Sequence, residues 1–182
     1  MGSTFRYIKD SALKAEDSSY YNECHACARK DAPVYKASGF IIKNDGTFDD
    51  EDPDSGIYVA CEACIKSGKL ARFGEWEMTP FLKSMYENWE ELRQKLRATP
   101  QIPLFLQRDD WVVCCNDICE FTGVPENYED IVYFTSKANY WARGQNKFSR
   151  NFKEDGPPES ILEISKFECI HCRKTYWIDQ FT

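Results

Sequence analysis

Eight of the nine cysteines in this 182-residue chain fall into four close pairs: Cys24 with Cys27, Cys61 with Cys64, Cys115 with Cys119, and Cys169 with Cys172. Thiolates spaced in this way suit Zn²⁺, which four sulfurs hold tetrahedrally at about 2.3 Å in a closed, fold-stabilising site. The short arc between two paired cysteines also turns backbone N–H groups toward the sulfurs. Eight ligands make two sites, so the spacing predicts two structural Zn²⁺ ions. A disulfide framework or redox chemistry is the competing reading. The odd cysteine count, the three Cys-x-x-Cys pairs and an opening segment without a secretion signal argue against disulfides. A single thioredoxin-like motif would not need three further pairs beside it.

Catalytic chemistry finds few residues. A catalytic zinc keeps an open position for water and uses histidine or carboxylate ligands with a base nearby. Only His25 and His171 are present, each inside a cysteine pair, and the chain carries no His-Glu-x-x-His, glycine-rich phosphate loop or nucleophile elbow. The expectation is a protein that is not an enzyme and has no small-molecule substrate.

Charge points toward a different kind of role. The formal net charge is −7, and the stretch from Asp45 to Asp54 holds six carboxylates, Asp45, Asp49, Asp50, Glu51, Asp52 and Asp54, with no base among them. Such a run is either a solvated loop or a surface that meets a basic partner. It repels phosphate, and direct nucleic-acid binding would need a basic stripe, which the chain offers only between Lys137 and Lys153. No apolar run approaches the roughly 20 residues of a membrane span. A cytoplasmic location with no membrane partner is the default expectation.

The elements that must position the cysteines are short. Phe5–Ile8 reads as an opening strand. Val34–Ala37 and Phe40–Ile42, separated by Gly39, read as a hairpin. Ile57–Ala60 is a strand delivering Cys61, and Cys64–Gly68 a helical turn ending at glycine. Thr79-Pro80 signals a helix start. Phe81, Leu82, Met85, Trp89, Leu92 and Leu96 then recur at helical spacing through Arg97.

Beyond that helix, Leu104–Leu106 and Trp111–Val113 read as strands, and Pro125–Tyr133 as a short helix or a strand. Ile161–Phe167 and Thr175–Ile178 form a hairpin around the last cysteine pair. Glu23-Cys24 and Glu168-Cys169 echo each other, and each pair is followed by basic residues, Arg29 and Lys30 or Arg173 and Lys174, expected to soften the charge of the adjoining centre. The fold expected is α+β: small antiparallel hairpins forming two zinc-ribbon-like lobes joined by an amphipathic helix. Residues 1–182 make one compact unit, with 1–75 the first lobe, 79–97 the connecting helix and 104–182 the second lobe.

Several segments stand together in a specific order and spacing: Phe5-Arg6-Tyr7, Cys24-x-x-Cys27, Cys61-Glu62-Ala63-Cys64-Ile65 with Gly68, Ala71 and Phe73, Thr99-Pro100, Trp111, Cys115-Asn116-Asp117-Ile118-Cys119, Phe121, Gly123 and Phe167-Glu168-Cys169-Ile170-His171-Cys172. In these the chain resembles the CbrC family of small bacterial proteins over nearly its full length. The sequence departs from the family pattern at Cys114, where a histidine is expected, and at Ile8-Lys9-Asp10-Ser11, where the family has His-Pro-Asp-Pro. Cys114 therefore has two readings, a spare buried thiol or a ligand in place of Cys115. Family members are linked in name with colicin tolerance, and relatives look like immunity proteins for polymorphic toxins. The resemblance thus implies a binder that neutralises a basic toxin domain by direct occlusion, with the six carboxylates as contacts. The alternative is a regulatory or stress-response zinc protein that binds nucleic acid or another protein through Lys137–Arg150.

Overall fold

A computed structural model describes residues 3–17, 21–47, 56–72, 75–102, 111–142 and 150–179. It shows an α+β fold in which the chain divides into two units, Lys14–Ile102 and the pair of segments Met1–Leu13 with Pro103–Thr182. This differs from the expected single unit and from the ranges 1–75, 79–97 and 104–182. The first residues belong with the C-terminal half, and the helical segment belongs to the unit of residues 14–102.

In that unit β1 (Val34–Ile41) is the central strand of three. It pairs antiparallel with β2 (Ile57–Cys61) through Val34↔Cys61, Tyr35↔Ala60, Lys36↔Val59 and Gly39↔Ile57. The chain then turns through α1 (Glu62–Lys66) and Gly68, whose φ of 68° favours a residue without Cβ. Strand β3 (Leu70–Arg72) returns along the other edge of β1, with Gly39↔Arg72, Phe40↔Ala71 and Ile41↔Leu70. Gly39 is therefore no hairpin turn. It lies where the backbones of β1 and β3 meet, and a Cβ there would stand 2.0 Å from the carbonyl oxygen of Ala71. One continuous strand replaces the expected hairpin because the glycine serves close approach, not chain reversal.

The expected helix from Thr79 to Arg97 is two helices, α2 (Glu75–Met85) and α3 (Trp89–Arg97). Pro80 lies inside α2, where its missing N–H leaves the carbonyl of Trp76 without its helical partner. The break after Met85 shifts the phase of the apolar stripe, so Leu82, Leu92 and Leu96 are buried while Met85 is 56% exposed. α3 packs on α2 and β3, and the buried side chains Val34, Val59, Ile65, Leu70, Leu82 and Leu92 make the core of this unit.

The second unit begins at a turn. Phe5 and Ile8 bridge each other, and Ile8 bridges Phe121 in parallel, so the expected opening strand is an isolated contact. The Lys9 N–H donates to the Phe121 carbonyl, and the Phe121 N–H to that of Tyr7. A minimal hairpin follows, β4 (Val113–Cys114) with β5 (Asp117–Ile118), closed by Cys115 and Asn116. Both closing residues are left-handed, with φ of 53° and 55°, the backbone of a type I′ turn.

β6 (Glu120–Gly123) then joins the main sheet. Helix α4 (Tyr128–Thr135) settles the ambiguity at Pro125–Tyr133: the Asn127 side chain caps it by accepting from the Asp130 N–H at 2.9 Å. Strand β7 (Asn139–Tyr140), helix α5 (Phe152–Asp155) and strands β8 (Ile164–Glu168) and β9 (Thr175–Asp179) complete the unit. The sheet order is β6-β8-β9-β7, antiparallel except for the β7–β9 edge. On this sheet Trp111, Phe121 and Phe167 meet edge to face at 5.8 and 5.6 Å between ring centres. Ile131, Phe152, Ile164 and Trp177 form a buried cluster under α4.

Candidate metal centres

The folding of these short strands gathers sulfur at two places. Cys24, Cys27, Cys61 and Cys64 form one group and Cys114, Cys115, Cys169 and Cys172 the other, with all sulfurs of a group within 4.8 Å of one another. In a tetrahedron with metal–sulfur bonds of about 2.3 Å, neighbouring sulfurs stand about 3.8 Å apart. The sulfur separations are 3.9 Å for Cys27 to Cys61, 3.7 Å for Cys114 to Cys115 and 3.6 Å for Cys114 to Cys172. Donor type, number and spacing therefore fit one metal ion in each group. An ion there would supply a cross-link among the four positions that carry the sulfurs.

The first centre is built from a knuckle and a strand–helix corner. Cys24 N–H donates to the Arg29 carbonyl and Ala28 N–H to the Cys24 carbonyl, with Ala28 left-handed at φ 56°. The β1–β2 register carries Cys61 to this turn, where its N–H donates to Cys24 Sγ at 3.2 Å. Cys64 follows one helical turn later in α1. The second centre repeats the knuckle between β8 and β9: Cys169 N–H donates to the Lys174 carbonyl and Arg173 N–H to that of Cys169, with Arg173 at φ 62°. The echo in the sequence is thus an echo of backbone conformation. The glutamates before each knuckle pair with bases after it, Glu23 with Lys30 at 3.3 Å and Glu168 with Arg173 at 2.5 Å, while Arg29 pairs with Asp31 at 3.8 Å. Three of the four bases expected to soften the charge of the centres thus pair with carboxylates.

The other half of the second centre departs from the expected spacing. Cys114 takes a place in the group and Cys119 does not. The reason is the two-residue turn: it sets Cys114 and Cys115 side by side at its tip, whereas Cys119 lies past the end of β5, fully buried. Cys114 thus joins Cys115 and is neither a spare thiol nor its substitute.

Electrostatics prepare one sulfur in each group. Burial raises the Cys24 thiol, but the N–H groups of Cys61, Ala26 and Cys27 and the Cys27 sulfur outweigh it and hold the thiol at about 7. The Lys174 N–H, against the effect of burial, holds Cys172 at about 7 as well. Their neighbours shift upward: Cys64 by burial and the adjacent sulfurs, Cys115 to about 12 by the sulfurs of Cys172 and Cys114. A first thiolate is ready near neutrality in each group, and the other cysteines would have to give up their protons to hold an ion.

A polar network supports the second centre, and it is the part the sequence reading missed. Tyr176 donates its hydroxyl to Cys114 Sγ at 3.1 Å. Asp117, 5% exposed, sits between Cys115 and Cys119 in the chain and accepts from the Tyr7 hydroxyl at 3.1 Å, the Ile118 N–H at 2.9 Å and His171 Nε2 at 2.9 Å. Arg6 adds a charge at 3.7 Å. This network ties the Phe5–Ile8 turn to the last knuckle, and the Phe5-Arg6-Tyr7 and Cys-x-Asp-x-Cys segments were its only trace in the sequence. His25 lies instead at the surface with Tyr21 and Tyr58, ring centres 5.7 and 6.2 Å away.

Of the acidic run, Asp45 is described. It is exposed, its carboxylate accepts from the Thr47 hydroxyl at 2.6 Å and N–H at 2.9 Å, and these bonds hold it below the usual carboxylate range. Asp49, Asp50, Glu51, Asp52 and Asp54 lie outside the described residues, as do the segment 143–149 and the expected strand at 104–106. Among the described residues, no helix is long and apolar enough to cross a membrane.

No curated protein and no solved structure matches this chain. A family model does, over residues 3–180, and by that match the chain belongs to the uncharacterised protein family UPF0167.

Proposed function

We propose that both four-cysteine groups hold structural Zn²⁺ and that the chain is a non-catalytic binding protein, acting as an immunity protein that covers the active surface of a basic toxin domain. The observation that carries the metal half is the sulfur spacing of 3.6–3.9 Å in two all-cysteine groups. A four-thiolate site leaves no position for a reacting water, which favours a structural ion over a catalytic one. The binding half is supported by the net charge of −7 and by the concentration of carboxylates from Asp45 to Asp54. An acidic surface accelerates encounter with a cationic one and disfavours phosphate-bearing competitors.

The test has two arms. Native mass spectrometry of the purified chain is expected to show two zinc ions. Association with basic nuclease-toxin domains is then measured with the wild-type chain and with a variant carrying Asp49→Asn, Asp50→Asn, Glu51→Gln, Asp52→Asn and Asp54→Asn. Neutralising five charges is expected to slow association about 10-fold or more at low salt, with the difference shrinking at high salt. Equal rates remove the acidic run from the account. Salt-sensitive binding of labelled single- or double-stranded nucleic acid, with no toxin binding, replaces the immunity reading with a nucleic-acid one.

A further inference from the structure

We infer that Cys119 is a fifth sulfur of the second centre, a reserve ligand that takes the coordination position of Cys114 when that thiolate is lost. This inference rests on the metal reading above. Its first support is the ladder of the β4–β5 hairpin. Cys114 pairs with Asp117 and Val113 with Ile118, and the Cys119 N–H continues the ladder by donating to the Val112 carbonyl at 2.9 Å. Side chains alternate faces from rung to rung, so Cys119 lies on the face of Cys114, as its diagonal neighbour across the hairpin. The second support is burial: Cys119 is fully enclosed, so its thiol is kept from solvent. The unit of residues 14–102 holds four cysteines, Cys24, Cys27, Cys61 and Cys64, and no fifth.

The β4–β5 backbone already delivers both sulfurs to one side, and Cys115, Cys169 and Cys172 stay in place. Loss of Cys114 then leaves a four-sulfur set complete, whereas loss of Cys27 from the first centre leaves three sulfurs.

The experiment compares Cys114→Ser, Cys119→Ser, the double variant and Cys27→Ser by native mass spectrometry, together with Co²⁺ loading. Cobalt visible bands distinguish four-sulfur from three-sulfur coordination. Wild type and both single variants of the second centre are expected to carry two ions with unchanged four-sulfur spectra. The double variant and Cys27→Ser are each expected to carry one ion, or to show a three-sulfur spectrum at one centre. Cys119→Val keeps the enclosed position apolar and gives the same reading should a buried hydroxyl prevent folding. A Cys114→Ser variant that loses one ion, or turns to three-sulfur coordination, overturns the inference while leaving the metal reading intact. Loss of an ion from Cys119→Ser also overturns it, because Cys119 would then be a resident ligand. A wild-type chain with no ion at the second centre removes the metal reading and this inference together.

Discussion

Tyr7 and Asp117 form one of the contacts by which the first residues of the chain are held beside the second centre, and its strength can be worked from the structure. The Tyr7 hydroxyl, on a side chain buried to 4% exposure, donates to Asp117 Oδ1 at 3.1 Å. A hydrogen bond to a charged acceptor contributes about 1.5–3 kcal/mol. Tyr7→Phe leaves Asp117 the Ile118 N–H and His171 as partners and the Arg6 charge nearby, so a cost near the lower bound, about 1.5 kcal/mol, is expected. Asp117→Ala is harsher, because it leaves the buried Tyr7 hydroxyl and the Ile118 N–H without this acceptor; roughly 3–4 kcal/mol follows from two such groups. Asp117→Asn keeps an acceptor oxygen for both and is expected to cost about 1 kcal/mol. Denaturant unfolding in a zinc-buffered solution measures all three, and a Tyr7→Phe, Asp117→Ala double variant closes the cycle. The coupling is expected at about 1–2 kcal/mol. Strictly additive losses would show that the hydroxyl does not hold the opening turn to the centre, and the reasoning would fail.

Further outcomes follow from the same geometry. Gly39→Ala puts a Cβ 2.0 Å from the Ala71 carbonyl, so β1 and β3 must part by more than about 1 Å; a loss of at least 3 kcal/mol in thermal or denaturant unfolding is expected, and a loss below 1 would contradict the close approach. Burial raises Asp130, but Lys166 at 2.9 Å and the Glu126 N–H outweigh it and hold the carboxyl below its ordinary range. Its stabilisation is therefore complete above pH about 4 and lost as pH falls through the lower folded value. Asp130→Asn is expected to be less stable than wild type by about 1 kcal/mol at pH 7, with the gap closing in acid. Metal occupancy should fall as pH drops below about 7, where Cys24 and Cys172 regain protons that compete with the ion. Titration with a chromophoric chelator between pH 5 and 8 checks this, and a pH-independent affinity would contradict it.

Much of the first centre was legible because its signals are local. Ile57–Ala60 has the β-branched and aromatic composition of a strand, Cys61 follows it directly, and Gly68 ends the helical turn beyond Cys64. The second centre was only half legible. The last knuckle follows the same grammar, but a turn closed by Cys115 and Asn116 carries no glycine to announce two left-handed residues, so spacing pointed to Cys119. Ala28 and Arg173 hide the knuckle turns in the same way. The helix break escaped because the stripe from Phe81 to Leu96 keeps plausible spacing across it, although Met85 turns out to solvent. Phe5–Ile8 looked like a strand because its aromatic and β-branched residues suit one. What fixes it is Phe121, more than 100 residues away, and no local pattern encodes that partner.

The interleaving of the two units sets an order in time. Residues 14–102 are contiguous, so on the ribosome that unit has its whole sheet and all four of its sulfurs while Cys169 and Cys172 are still untranslated. Tyr7 and Lys9, by contrast, wait for Phe121, which at bacterial-to-eukaryotic elongation rates is a delay of roughly 5–20 s. Nascent chains should therefore acquire their ions one after the other, that of residues 14–102 first, and a chain arrested near residue 140 should emerge with a single ion.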